Sequence, residues 1–261
     1  MARTGRKAFI PFLTAGDPDL DTTFQIVLAM AEAGADVIEL GVPFSDPIAD
    51  GPVIQRATDR ALKGDVSMAR ILDMVERIRE QSDVPLLLFS YYNPLLRFGL
   101  DRLTARAADA GVDGILASDL TVEESGPFVA ASKKAGLNTV FLVAPTSSPD
   151  RISKIVNAST GFLYAVSRTG VTGAQTELPA ELVEFIGRLR GHTGNPIAVG
   201  FGISTPEHVQ AVWSEADGAV VGSAIVKTIE EAVEAGHSGK DIAARVGQFV
   251  AWLRGTGRVV E

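Results

Sequence analysis

Eight short apolar runs recur along the chain, and longer stretches with helical spacing of apolar positions separate them. The runs are AFIPFLTA (8–15), DVIELGV (36–42), VPLLLFSY (84–91), DGILAS (113–118), NTVFLVA (138–144), GFLYAVS (161–167), PIAVGF (196–201) and DGAVVGS (217–223). Their near-continuous apolar character reads as strands buried on both faces, as in a parallel sheet. Between them, Phe24, Val27, Leu28 and Ala31 predict a helix over 21–33, and Ile71, Leu72, Val75 and Ile78 predict one over 67–79. Ile242, Val246, Phe249, Val250 and Leu253 mark another near the end. Such stripes are packing faces before they are partner-binding faces.

A local phrase also repeats, as AGADVIEL (33–40), AGVDGILA (110–117), AGLNTVFLV (135–143) and EADGAVVG (215–222). In each, small residues end a helix and a Gly or Asp turns the chain into a strand. Strands alternating with helices over 261 residues predict an α/β chain folded as a single (β/α)8 TIM barrel, with 1–261 as one domain. A doubly wound open sheet is the alternative, but no GxGxxG follows the first strand, where a dinucleotide site would lie.

Composition removes several function classes. The chain is 46% hydrophobic and 21% charged, with a formal net charge of −8. Excess negative charge repels phosphate backbones and anionic lipid, so neither nucleic acid nor a membrane is the expected partner. A phosphorylated ligand would need a local site built from backbone N–H groups. With no cysteine in the chain, disulfides, thiolate metal sites and cysteine nucleophiles drop out. The N-terminal MARTGRKAFIPF lacks the apolar run of a signal peptide, and no window approaches a membrane span, so a soluble cytoplasmic protein is expected.

In a barrel of this type the chemistry lies at the C-terminal ends of the strands. Glu39, between Ile38 and Leu40, falls inside the second run. Alternate strand residues point inward, so this carboxyl is buried or at the barrel mouth. Burial raises its pKa, which suits a group that must both give and take a proton; a structural Glu paired with a cation is the plainer reading. Asp50 follows a loop stiffened by Pro43 and Pro47, and either serves the site or caps the helix starting near Pro52. Asp46 carries the same ambiguity. Glycine-rich turns RTGVTGA (168–174), GFGIS (200–204) and GSA (222–224) follow strands six, seven and eight, where barrels of this type build phosphate sites. His192, His208 and His237 fall away from strand ends and form no H-x-H or H-E-x-x-H pair, so no metal is expected. No Lys ends a predicted strand, which disfavours a Schiff base and leaves carboxylate acid–base chemistry.

The segments FIPFLTAGDPD, ELGVPFSDPIADGP, YYNP, SRTGVTG, GFGIST and GSAIVK occur, in order, as they do in the tryptophan synthase alpha family, and the match runs from about Phe9 to Lys227. The chain resembles that family, and the resemblance implies a lyase that splits indole-3-glycerol phosphate to indole and glyceraldehyde-3-phosphate without a cofactor. It implies Glu39 as general acid–base and Asp50 as acceptor of the indole N–H. Tyr164 would orient the glutamate. Phe12 and Phe201 match aromatic residues of the indole pocket, with Ile54 and Phe89 adding apolar wall. Gly173, Gly202, Gly222 and Ser223 match the phosphate site, and Thr172 the loop residue that closes over the aspartate.

The same resemblance implies a beta subunit in an α2β2 complex, faced by loops carrying Pro43, Asp46 and Asn93. Two departures are visible. The chain starts a few residues before strand one, where the family has a short helix, and Thr121 stands where many members carry a proline. A stand-alone lyase releasing free indole and a non-catalytic indole-phosphate-binding barrel remain as alternatives at this level.

Overall fold

The computed structural model describes residues 5–166, 178–200 and 202–257. Its eight strands are β1 (Ala8–Thr14), β2 (Ile38–Gly41), β3 (Leu86–Ser90), β4 (Gly114–Ala117), β5 (Asn138–Val143), β6 (Leu163–Val166), β7 (Ile197–Gly200) and β8 (Gly218–Val221). All pair in parallel with their sequence neighbours, and β8 returns to β1, so the sheet closes into a barrel. Each strand is shorter than the apolar run that predicts it, because the outer residues of the runs belong to the turns on either side.

The first helices are α1 (Leu20–Glu32), α2 (Pro52–Leu62), α3 (Met68–Arg79), α4 (Tyr92–Phe98), α5 (Leu100–Ala110) and α6 (Gly126–Lys134). They are followed by α7 (Pro149–Ala158), α8 (Ala180–Arg190), α9 (Pro206–Glu215), α10 (Ser223–Glu234) and α11 (Gly239–Leu253). Their starts are chemically marked. Asp19, Ser67, Ser148, Thr205 and Ser238 cap α1, α3, α7, α9 and α11 by accepting a backbone N–H of the first turn. Proline stands in the first turn of α2, α6, α7 and α9, where its missing N–H costs nothing.

Strand parity sorts the core into two sets. Ile10, Leu87, Leu116, Val140, Tyr164, Ala198 and Val220 cluster inside the barrel. Phe9, Leu13, Ile38, Leu40, Leu86 and Leu88, on the opposite parity, pack outward under the helices. The face of α1 departs from expectation. Thr22, Thr23, Ile26, Val27 and Met30 are its buried residues, while Phe24 and Leu28 are only half-buried. The cause is that α1 lies against both α3 and α11, which broadens and rotates its buried face. Phe24 sits at the edge of that face, 4.7 Å from the Arg77 guanidinium carbon. Among the described residues, no helix is long and apolar enough to cross a membrane.

Candidate active site

The inward parity of β2 points Glu39 into the barrel, in register with Phe12 of β1 and Leu87 of β3. Its side chain is fully buried, and among the described residues neither carboxyl oxygen has a hydrogen-bond partner. Removal from water penalises the charged form, so the Glu39 pKa is pushed up to about 8. The structural reading of Glu39, a carboxylate paired with a cation, is therefore not what these residues build. Tyr164, on β6, is also buried, and its phenol is held protonated first by desolvation and then by the Glu39 charge. The two side chains thus lie near enough in the barrel interior for one charge to act on the other. The tyrosine ring fits only because residue 200 is glycine: a Cβ there would lie 2.5 Å from the Tyr164 hydroxyl oxygen.

Asp50 lies beyond β2, half-buried, in the loop that leads into α2. It does not cap that helix. The N-cap is Gly51, which has no side chain to make a capping hydrogen bond, and Pro52 begins the first turn. The carboxyl is instead engaged by the Tyr91 hydroxyl. Burial raises the Asp50 pKa and the tyrosine hydrogen bond opposes that rise. Tyr91 also accepts the Ala49 N–H at 2.9 Å, so one phenol ties down two successive residues of the loop.

Asp50 shares a cleft with Phe12, Ile54 and Phe89, whose apolar walls surround it. Phe12 and Phe89 meet edge to face, with ring centroids 5.5 Å apart. Thr14, Ser90 and Tyr91 add polar groups to the same cleft. The buried Thr14 hydroxyl and the Ser118 hydroxyl beyond β4 have no partner among the described residues. These two hydroxyls lie at the C-terminal mouth of the barrel, where a polar ligand would satisfy them. Sequence reasoning passed over Thr14, Ser90 and Tyr91, although all three are polar residues at the ends of predicted strands. The rule that singled out Glu39 would have found them.

Gly222 is the N-cap of α10 and Ser223 its first residue, and no side chain caps this helix start. Uncapped first-turn N–H groups and the helix dipole together favour an anion. A Cβ built on Gly222 would sit 3.7 Å from Phe12, so this turn adjoins the apolar cleft. Gly202 is exposed in the turn after β7, with φ at +66°, a conformation that favours glycine. Thr172, Gly173 and Phe201 lie outside the described residues. Pro43 and Asp46 fall on the β2–α2 loop, half-buried and exposed respectively, and Asp46 accepts the Ser45 hydroxyl at 2.9 Å. Asn93 is exposed on α4 at the same end of the barrel. Ile48, in that loop, is 85% exposed. Among the described residues, no group of three or more His, Asp or Glu side chains is placed to hold a metal ion.

The family model described as tryptophan synthase alpha chain matches residues 1–251. The tryptophan synthase alpha chain of Solibacter usitatus is 56% identical over 234 residues, covering 90% of this chain and 88% of that relative. The alpha chain of Geobacter sulfurreducens is 47% identical, covering 97% and 94%. A solved structure of the tryptophan synthase α2β2 complex from Pyrococcus furiosus, described as the basis of its mutual activation, superposes with a TM-score of 0.88. The identity there is 41%, over 96% of this chain and 99% of that one. The chain belongs to the tryptophan synthase alpha chain family.

Proposed function

We propose that this chain, working as one domain, is the lyase that cleaves indole-3-glycerol phosphate to indole and glyceraldehyde-3-phosphate, and that it passes indole to a tryptophan synthase beta subunit. The observation that carries the reading is Glu39, a fully buried carboxyl with no hydrogen-bond partner among the described residues, whose pKa, pushed up to about 8 by desolvation, keeps it protonated at neutral pH. A neutral carboxylic acid in register with Phe12, which lines the apolar cleft, is ready to give its proton to ring carbon C3 of an indole. The ring nitrogen then carries positive charge. Asp50, on the cleft wall and held by Tyr91, accepts the N–H and stabilises that charge.

The Glu39 carboxylate left behind takes the proton of the adjacent glycerol hydroxyl. As the aldehyde forms, the bond to C3 breaks and its electron pair returns to the ring, neutralising the nitrogen. Glu39 ends the cycle protonated, as it began. Tyr164 would orient it from across the barrel, and Phe12, Ile54 and Phe89 would flank the ring.

The phosphate would rest on the α10 N-terminus at Gly222 and Ser223 and on Gly202, with Thr172, Gly173 and Phe201 completing the site. Pro43, Asp46 and Asn93 sit on the rim that would meet the beta subunit, beside the exposed Ile48. A cytoplasmic location accords with a chain that has no cysteine. The test is indole release from indole-3-glycerol phosphate by the purified chain, with and without a beta subunit. Weak release alone that rises strongly on addition is the expected result. No release in either case would refute the lyase reading, and strong release indifferent to beta would refute the partnership.

A further inference from the structure

Two arginines one turn apart on α2 meet two carboxylates from distant parts of the chain. Arg60 donates to Asp17 twice, Nε to Oδ1 at 2.8 Å and Nη2 to Oδ2 at 2.9 Å. Its remaining nitrogen, Nη1, donates to Glu230 Oε1 at 2.7 Å. Arg56 completes the set, with Nε and Nη2 on the two Glu230 oxygens at 2.7 Å each. Asp17 is wholly buried, Glu230 nearly so, and Arg60 is mostly covered. Two positive charges balance two negative ones.

The placement of these four residues in the barrel is specific. Asp17 lies in the loop that follows β1, the strand carrying Phe12 and Thr14. Arg56 and Arg60 are on α2, and only Gly51 separates Asp50 from the first residue of that helix. Glu230 is on α10, whose first turn is Gly222–Ser223. One network therefore ties together the three elements that carry the apolar cleft, the aspartate and the uncapped helix start. Ion pairs of this kind add little net stability over apolar packing of similar volume. What guanidinium forks do supply is fixed distance and angle. A substrate gripped at its ring and at its phosphate needs that fixity, since a misplacement of about 1 Å can cost about 10²-fold in rate.

We propose that Asp17, Arg56, Arg60 and Glu230 form a positioning device that sets the separation between Asp50 and the phosphate-binding turn of α10. The idea rests on the function proposed above. None of the four touches substrate in this scheme; they act through the two helices.

The test uses the full chain carrying Glu230→Gln, which keeps the shape and removes the charge that both arginines share. Three quantities are measured for it and for wild type: kcat and KM with indole-3-glycerol phosphate, the Kd of indole alone, and the Kd of glycerol 3-phosphate alone. If the network sets separation, each half-ligand binds within about twofold of wild type while kcat/KM for the whole substrate falls about tenfold or more. Unchanged kcat/KM overturns the proposal. So does a parallel loss in all three quantities, which would mark a merely structural role. Should Glu230→Gln fail to fold, Arg56→Lys carries the same comparison, because Arg56 is half exposed and its loss spares the Asp17–Arg60 pair. A wild-type chain that does not cleave the substrate at all overturns the functional reading, and the network's role with it. Cleavage by wild type with an indifferent variant overturns the network's role alone.

Discussion

At the scale of single residues, Glu39 is a group the folded chain holds at a cost. Its pKa is about 8 when folded and near the ordinary 4.5 when unfolded. Below about pH 4.5 both states are protonated and the group is silent. Between 4.5 and 8 the unfolded chain releases its proton while the folded one keeps it, so stability falls as pH rises through that window. Glu39→Gln removes the titration. The variant is expected to lose about 10²–10⁴-fold in cleavage rate. Its advantage in unfolding free energy over wild type should grow to a few kcal/mol by pH 8 and vanish near pH 4, measured by urea unfolding at each pH. Equal stability at both pH values would mean that Glu39 is not a strained, unpaired acid. Gly200 makes a sterically opposite case. Gly200→Ala drives a methyl to 2.5 Å from the Tyr164 hydroxyl oxygen, inside contact distance, so the ring must move. About 1–3 kcal/mol of stability should be lost, with a fall in kcat accompanying the shift in Tm. A variant with wild-type Tm and kcat would show that Tyr164 does not orient the acid.

Among the elements, the joint between α2 and α10 is the most demanding. Arg60→Ala leaves Asp17 wholly buried without its cation, and breaking such a pair costs about 3–5 kcal/mol. The expected result is a lower denaturation midpoint with an unchanged m-value. A loss below about 1 kcal/mol would mean that water replaces the arginine freely. Glu230, held down to about 2 by Arg56 and then Arg60, contributes stability present above its unfolded pKa and lost as pH falls toward 2. Little of this joint is legible in the chain. The i, i+4 spacing of Arg56 and Arg60 puts them on one helix face, but nothing local ties that face to residue 230. Strands fared better, because burial on both faces leaves an unbroken apolar signature that local reading detects. The buried face of α1 is wider than its apolar stripe, and threonines can join it when their hydroxyls reach backbone, as Thr23 does by donating to the Asp19 carbonyl at 2.7 Å. Within the site, Glu39 stood out as an acid in an apolar run. Tyr91 is legible as a polar residue ending a predicted strand, but its partner is not, since the hydrogen bond to Ala49 spans 42 positions.

For the molecule as a whole, the net charge of −8 opposes a phosphorylated substrate at long range. A helix start and glycine turns therefore have to do locally what the overall field does not. The rim is the other feature of this scale. Ile48 projects from the β2–α2 loop with 85% of its surface in water, on the rim that the proposed function gives to the beta subunit. Ile48→Ser should raise the concentration of beta subunit needed for half-maximal stimulation by about tenfold, since burying such a side chain is worth about 1.5–3 kcal/mol. An unshifted titration would place the docking surface elsewhere. The loop itself has a consequence for how the two halves of the reaction could be kept in step. Outward-facing Ile48 and inward-facing Asp50 are separated by Ala49 alone, and the Tyr91 phenol clasps that alanine's N–H on one side and the aspartate on the other. Rim and cleft are thereby built on one short segment, with a single phenol as the fixed point between the side chain that faces water and the carboxylate on the cleft wall.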